Sequence, residues 1–174
     1  MNNDEALRYP VGKFEPKELY TSADITAAIE AIEQLPKKLD DLVKGFSAKQ
    51  LDTPYRMEGW TARQVLHHLA DSHMNAYIRF KWTMTEETPT IKAYEEKAWA
   101  LTPEVKGDPA LSIALLKALH AKWVVLLRAL TADDLKKQFL HPDTKKHVAL
   151  DRLVSTYAWH GEHHLGHLKI VAGK

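Results

Sequence analysis

The run WHGEHHLGH, residues 159 to 167, puts His160, His163, His164 and His167 at offsets of 0, 3, 4 and 7. On a helix those offsets share one face, so imidazole stands where an apolar stripe would normally be. His67, His68 and His73 form a second window, and the two short stretches hold seven of the chain's 10 histidines. An i, i+4 pair such as His160 and His164 places two ring nitrogens on adjacent turns, within reach of one ion at the ~2.0–2.1 Å of a zinc–nitrogen bond. A third imidazole from another helix would give three neutral ligands and an open position, the arrangement of a catalytic zinc site. There the ion would lower the pKa of water towards ~7 or bind an anionic substrate group directly. Zinc, nickel, iron and copper all suit imidazole, and the sequence does not choose among them.

Around the first window the apolar residues Leu150, Leu153, Val154, Tyr157, Leu168 and Val171 centre on the line through Tyr157 and His164. That phase makes His160 and His164 the more central pair, with His163 and His167 as a second possible pair. In the other window Val65, Leu66 and Leu69 support either His67 or His68. Asp71 and His73 resemble a D-x-H fragment, but an offset of two points them to different helix faces. His120, His141 and His147 stand alone and read as packed or hydrogen-bonded histidines before they read as ligands. Glu162 follows Gly161, so no H-E-x-x-H zincin is present. Glu162, Asp71, Arg79 and Tyr157 are catalytic candidates by nearness to the ligand turns alone. Trp60 and Trp159 flank the two windows and could wall a pocket.

Four long amphipathic segments must position these groups. The first, from Ser22 as a cap to Phe46, keeps its stripe in phase across Pro36 and so reads as one kinked helix. Thr61 and Gln64 have capping-box spacing and open the second, which should run from residue 62 into the mid-80s. Asp108 and Pro109 open the third, with Leu115, Leu119, Trp123, Leu126, Leu127 and Leu130 inward. The fourth covers roughly 150 to 171. A short helix around Tyr94 to Trp99 is expected in one connection, and residues 1–21 read as an extended arm. The expected fold is all-α: a single domain over 1–174, a four-helix bundle with long inter-helix connections. Those connections free it from simple up-down-up-down order.

Composition narrows the function. The 174 residues are enough for a core without metal or disulfide support, so an ion would serve chemistry more than folding. A net charge of +1 with no basic run argues against nucleic acid and against an anionic membrane surface. With no cysteine, an ion must be held by nitrogen and oxygen. No signal-like or membrane-spanning apolar run stands out, which makes a cytoplasmic location the expectation.

The stretches LDTPYRMEGWTARQVLHHLADSHMNAYIRFKW, ALLKALHAKWVVLLRAL, HPDT and WHGEHHLGHL, together with YPVG near the start, resemble the YfiT family of metal-dependent hydrolases within the DinB-like superfamily. The resemblance implies a four-helix bundle that binds one zinc or nickel ion per subunit through three histidines, in a cytoplasmic homodimer. The family's ligand on the second helix corresponds to His68, and those on the fourth to His160 and His164. It also implies alternatives for the chemistry, since related bundles transfer low-molecular-weight thiols such as bacillithiol or mycothiol. The expected partner is a small-molecule substrate, with such a thiol as the alternative the resemblance offers. The rival readings are a non-catalytic metal-binding helical homo-oligomer and a small-ligand binding module.

Overall fold

The capping box expected at Thr61 is formed: Thr61 Oγ1 accepts from the Gln64 N–H at 3.2 Å, and Gln64 Oε1 accepts from the Thr61 N–H at 3.0 Å. In the computed structural model, which describes residues 3–174, that box opens one of four long helices. The elements in chain order are α1 (Asn3–Arg8), α2 (Ser22–Val43), α3 (Ala48–Leu51), α4 (Ala62–Thr85), α5 (Glu96–Trp99), α6 (Ala110–Arg128), α7 (Ala132–Lys136), β1 (Gln138–His141), β2 (Lys146–Ala149) and α8 (Leu150–Ala172).

The fold is the four-helix bundle expected, with α2, α4, α6 and α8 as its long members. α8 packs against both α2 and α4, and so does α6, which leaves the sequence neighbours α2 and α4 facing each other across the bundle. α4 and α6 pack side by side, so the diagonal steps are made by the α2–α4 and α6–α8 connections, and this order brings α4 beside α8.

Some local expectations change. Thr21, not Ser22, caps α2, which runs unbroken through Pro36. The arm is not wholly extended, because α1 forms within it. The connection before α8 carries α7 and an antiparallel hairpin that pairs Phe139 with Val148. The inward face of α6 is Ile113, Leu116, His120, Trp123, Val124 and Leu127, whereas Leu115 is 43% exposed. α6 is apolar nearly all round, so its stripe does not fix its phase and the packing of α2 and α4 decides it. By length and composition it is the one helix among the described residues that could cross a membrane; its buried face makes it a core helix of this bundle.

Two apolar clusters fill the interior. One gathers Ile25, Ile29, Ile32, Ala76, Phe80, Trp123, Leu150, Leu153, Val154 and Tyr157; the other gathers Leu35, Leu39, Val65, Leu66, Leu69, Ala70, Leu116, Leu165 and Leu168. Along every long helix a polar layer falls between them: His68 and His73 on α4, His120 on α6, His160 and His164 on α8, and the Ile32 carbonyl on α2. Gly161 sets the α8–α2 approach at this level, since a Cβ there would lie 2.5 Å from Leu35 Cδ2.

Candidate metal centre

His160 and His164, one turn apart on α8, meet His68 from α4. The candidate ligand atoms of the three rings all lie within 4.8 Å of one another, and His68 Nε2 is 3.2 Å from His160 Nε2. Burial explains why these rings are neutral. It pushes His68 down to about 4 and holds His160 and His164 well below the usual histidine range, with the neighbouring imidazoles adding to the effect. Neutral imidazole is the form that can ligate a metal.

Hydrogen bonds fix which nitrogen of His160 carries its proton. A backbone carbonyl only accepts, so the 2.6 Å contact between His120 Nδ1 and the Ile32 oxygen makes that nitrogen the donor. Neutral His120 then accepts at Nε2 from His73 Nδ1–H at 2.9 Å. His73 in turn accepts at Nε2 from His160 Nδ1–H at 3.2 Å. The proton of His160 is thereby placed on Nδ1, and its Nε2 lone pair faces His68. Burial keeps His120 at about 4 and His73 well below the usual range, so each link holds one proton.

Pro36 supplies the anchor. In an α-helix the Ile32 carbonyl would accept from the N–H of residue 36, but proline has none. The freed carbonyl is the one His120 takes. Proline inside α2 therefore matters to the site as well as to the helix.

A second chain stands behind His164. His167 Nε2–H donates to the Arg8 carbonyl at 3.2 Å, so neutral His167 accepts at Nδ1 from His164 Nδ1–H at 3.3 Å. His164 is left with its Nε2 lone pair, turned away from His167. This also decides between two candidate triads, because His163, His164 and His167 likewise bring ligand atoms within 4.8 Å. In that second triad both nitrogens of His167 are already committed, one to a carbonyl and one to His164. The arm that carries Arg8 lies against α8: a Cβ at Gly166 would come 2.7 Å from Pro10 Cγ, and Trp159 Nε1–H donates to the Gly12 carbonyl at 3.1 Å.

The remaining candidates separate. His67 turns to α6, where its Nδ1 lies 2.8 Å from Ser112 Oγ, and His163 stacks on Trp159 with ring centroids 4.6 Å apart. Trp60 packs on His68 at 4.6 Å. Glu162 is paired with Lys38 at 2.6 Å, and Asp71, raised to about 6 by burial, is absent from the cavity described next. His160 is only half-buried, and its open edge lines a cavity of about 480 Å³ that also reaches Tyr157 and Arg79. Ser72, Tyr94, His141 and Arg152 line it too. Sequence reasoning did not single out those four residues for the site, nor His120 and the Ile32 carbonyl. A proline in mid-helix and a histidine on an apolar helix face were the available signals.

Residues 31–168 match the family model for the DinB superfamily. The chain is 48% identical over 163 residues, 93% of its length and 92% of the relative's, to a Bacillus subtilis (strain 168) protein named "Putative metal-dependent hydrolase YfiT". A Bacillus cereus (strain AH820) relative with the same functional name is 49% identical over 162 residues, 93% of each chain. A solved structure of the Bacillus subtilis protein, described as having "an unusual four-helix bundle topology", aligns with a TM-score of 0.94 at 47% identity over 97% of both chains.

Proposed function

The chain belongs to the DinB superfamily, and on that premise we propose that it is a hydrolase that works through one divalent ion, zinc in the first instance, held by His68, His160 and His164. One observation carries the reading. The Nε2 atoms of His68 and His160 face each other at 3.2 Å, with the His160 lone pair already directed there by a carbonyl-anchored chain. A single shared proton would satisfy that pair alone; a cation satisfies all three rings.

When bound, the ion supplies a Lewis acid that polarises a substrate oxygen and acidifies water. The chain's own residues do the rest. His73 and His167 hold His160 and His164 in one tautomer, so the donors need no reorganisation when the ion arrives. Trp60 covers the His68 ring, which leaves the half-buried edge of His160 and the cavity beside it as the substrate's side. Three neutral imidazoles leave the ion's charge of about +2 undiminished, which favours a reaction that develops negative charge on oxygen.

Metal content and hydrolysis test this together. Zinc-loaded protein should cleave members of an ester and amide panel, lose that activity with a chelator and regain it with zinc. His160→Ala and His164→Ala should each lose the ion while the helical circular dichroism persists. Normal metal content in both variants would sink the ligand set. A panel on which the only product is a thiol conjugate, formed when a low-molecular-weight thiol is added, would overturn hydrolysis in favour of thiol transfer.

A further inference from the structure

The chain has six arginines. Arg8, Arg56, Arg63 and Arg128 each lie within 4.0 Å of a carboxylate, with Asp4, Asp4, Asp52 and Glu33 as their partners. Among the described residues Arg79 and Arg152 have none, and these are the two that line the cavity beside His160. Both are half-buried, whereas the cavity's other charged residues, Glu96, Asp143 and Lys146, are exposed at its rim. Arg79 Nε is buried with no hydrogen-bond partner. A half-buried guanidinium donor without an acceptor is costly to keep unless a ligand supplies one.

We propose that this cavity takes an elongated substrate ending in an oxyanion, which Arg79 and Arg152 receive while the bond to be broken lies at the histidine end. The inference rests on the hydrolase reading above and names its substrate class.

Geometry supports the elongated shape. Arg79 follows His68 by 11 residues on α4, which returns it to nearly the same helix face. That spacing is about 16 Å along the axis, and an arginine leaning back towards the helix N-terminus shortens it to roughly 10 Å. On α8 Arg152 precedes His160, and Tyr157 lies between them with its ring 5.7 Å from that of His160. The Arg79 charge acts on Tyr157, Tyr94 and His141 alike, which puts it amid the polar groups of this wall. Guanidinium presents a planar fork that matches carboxylate or phosphate with two parallel bonds. No carboxylate stands among the three candidate ligands, and Glu96 and Asp143 lie at the exposed rim, so the half-buried end of the cavity keeps a positive field that an anionic substrate would offset.

The test uses straight-chain hydroxamates of graded length, whose chelating head reports on the ion and whose tail ends in a carboxylate, a phosphonate or a neutral methyl ester. Binding is measured by calorimetry on zinc-loaded protein. At the best length a charged tail should bind about tenfold or more tighter than its ester, and the stronger of carboxylate and phosphonate identifies the oxyanion. Arg79→Met and Arg152→Met should each cut the advantage, the double variant should abolish it, and Arg79→Lys should retain part of it, all with zinc content unchanged. Equal affinity of acid and ester in the unsubstituted protein, or an advantage that survives in the double variant, would overturn the inference. Failure of short neutral acetohydroxamate to bind zinc-loaded protein would instead count against the metal-centre reading beneath it.

Discussion

Behind His160 stand two further histidines and then a carbonyl of α2, all inside the bundle between its two apolar clusters. Behind His164 stands one histidine and then a carbonyl of the N-terminal arm. Both chains end on a backbone oxygen and both leave an Nε2 lone pair for the candidate ion. They differ in what holds the oxygen. The inner one is a helix carbonyl released by Pro36 in the core, and the outer one belongs to a strap laid over Gly166. One ligand is thus set by the fold's interior and the other by a segment that could move without unfolding the bundle.

The largest test of that contrast replaces the first link on each side. His73→Phe and His167→Phe keep apolar volume but remove the acceptor for His160 or His164. Each should weaken zinc binding roughly 10- to 100-fold, measured by competition with a chromophoric chelator. The tautomer change should be confined to one ring: nitrogen-15 spectra of the metal-free protein should show His160 alone altered by the first and His164 alone by the second. If both variants disturb both rings, the two chains are one network and the comparison fails.

How much of this was legible follows the physics of each signal. The extents of α4 and α8, the capping box at Thr61 and the His160–His164 pair depend on spacing within one helix, and spacing is written in the sequence. The roles of His73 and His120 depend on how helices rotate against each other. α6, apolar on nearly every face, gave no phase from which to place His120, and the inward set expected around Leu115 and Leu119 was rotated from the one found. Pro36 was visible as an interruption but not as a donor removed from Ile32, since only the neighbour that takes the carbonyl reveals that. The choice of His68 over His67 came from family resemblance, because on one face either ring fits. The hairpin was missed although a Pro142–Asp143 turn separates two short runs, each too brief to outweigh its helical surroundings.

Acidity probes the inner chain next. His120 titrates at about 4 in the fold and near 6.5 when unfolded, so the unfolded chain binds more protons between those values. Its contribution to stability is complete above about 6.5 and is lost as pH falls towards 4, at up to about 1.4 kcal/mol per pH unit. Denaturant unfolding of metal-free protein should therefore show a shallower loss between pH 6.5 and 4.5 in His120→Gln than in the unsubstituted chain. Identical slopes would mean that His120 is not held neutral by its place in the core.

Pro36→Ala asks whether the carbonyl itself matters. Alanine restores the helical N–H to Ile32 and gains up to about 3 kcal/mol of intrinsic helix preference. It also makes His120 compete for its acceptor, and a buried donor left unpaired costs about 1–3 kcal/mol. These nearly cancel, so the melting temperature should change little while zinc affinity drops by up to about tenfold. A more stable protein with unchanged affinity would show that the inner anchor is structural only.

The smallest effect is expected at the strap. Gly166→Ala places a Cβ 2.7 Å from Pro10 Cγ and 2.9 Å from Pro10 Cβ, and a proline ring has no rotamer by which to withdraw. The arm must lift, and the 3.2 Å bond from His167 Nε2–H to the Arg8 carbonyl is the contact it carries away. Zinc affinity should fall only about two- to fivefold, because a single net hydrogen bond of this kind is worth about 1 kcal/mol and water can replace the carbonyl. Gly161→Ala is the matched control on the inner side: its Cβ meets the Leu35 side chain, so it should cost about 1–3 kcal/mol of stability through overpacking without altering the His164 tautomer. If Gly166→Ala leaves both the affinity and the His164 nitrogen spectrum unchanged, the arm is not the outer anchor, and His164 is held by packing alone.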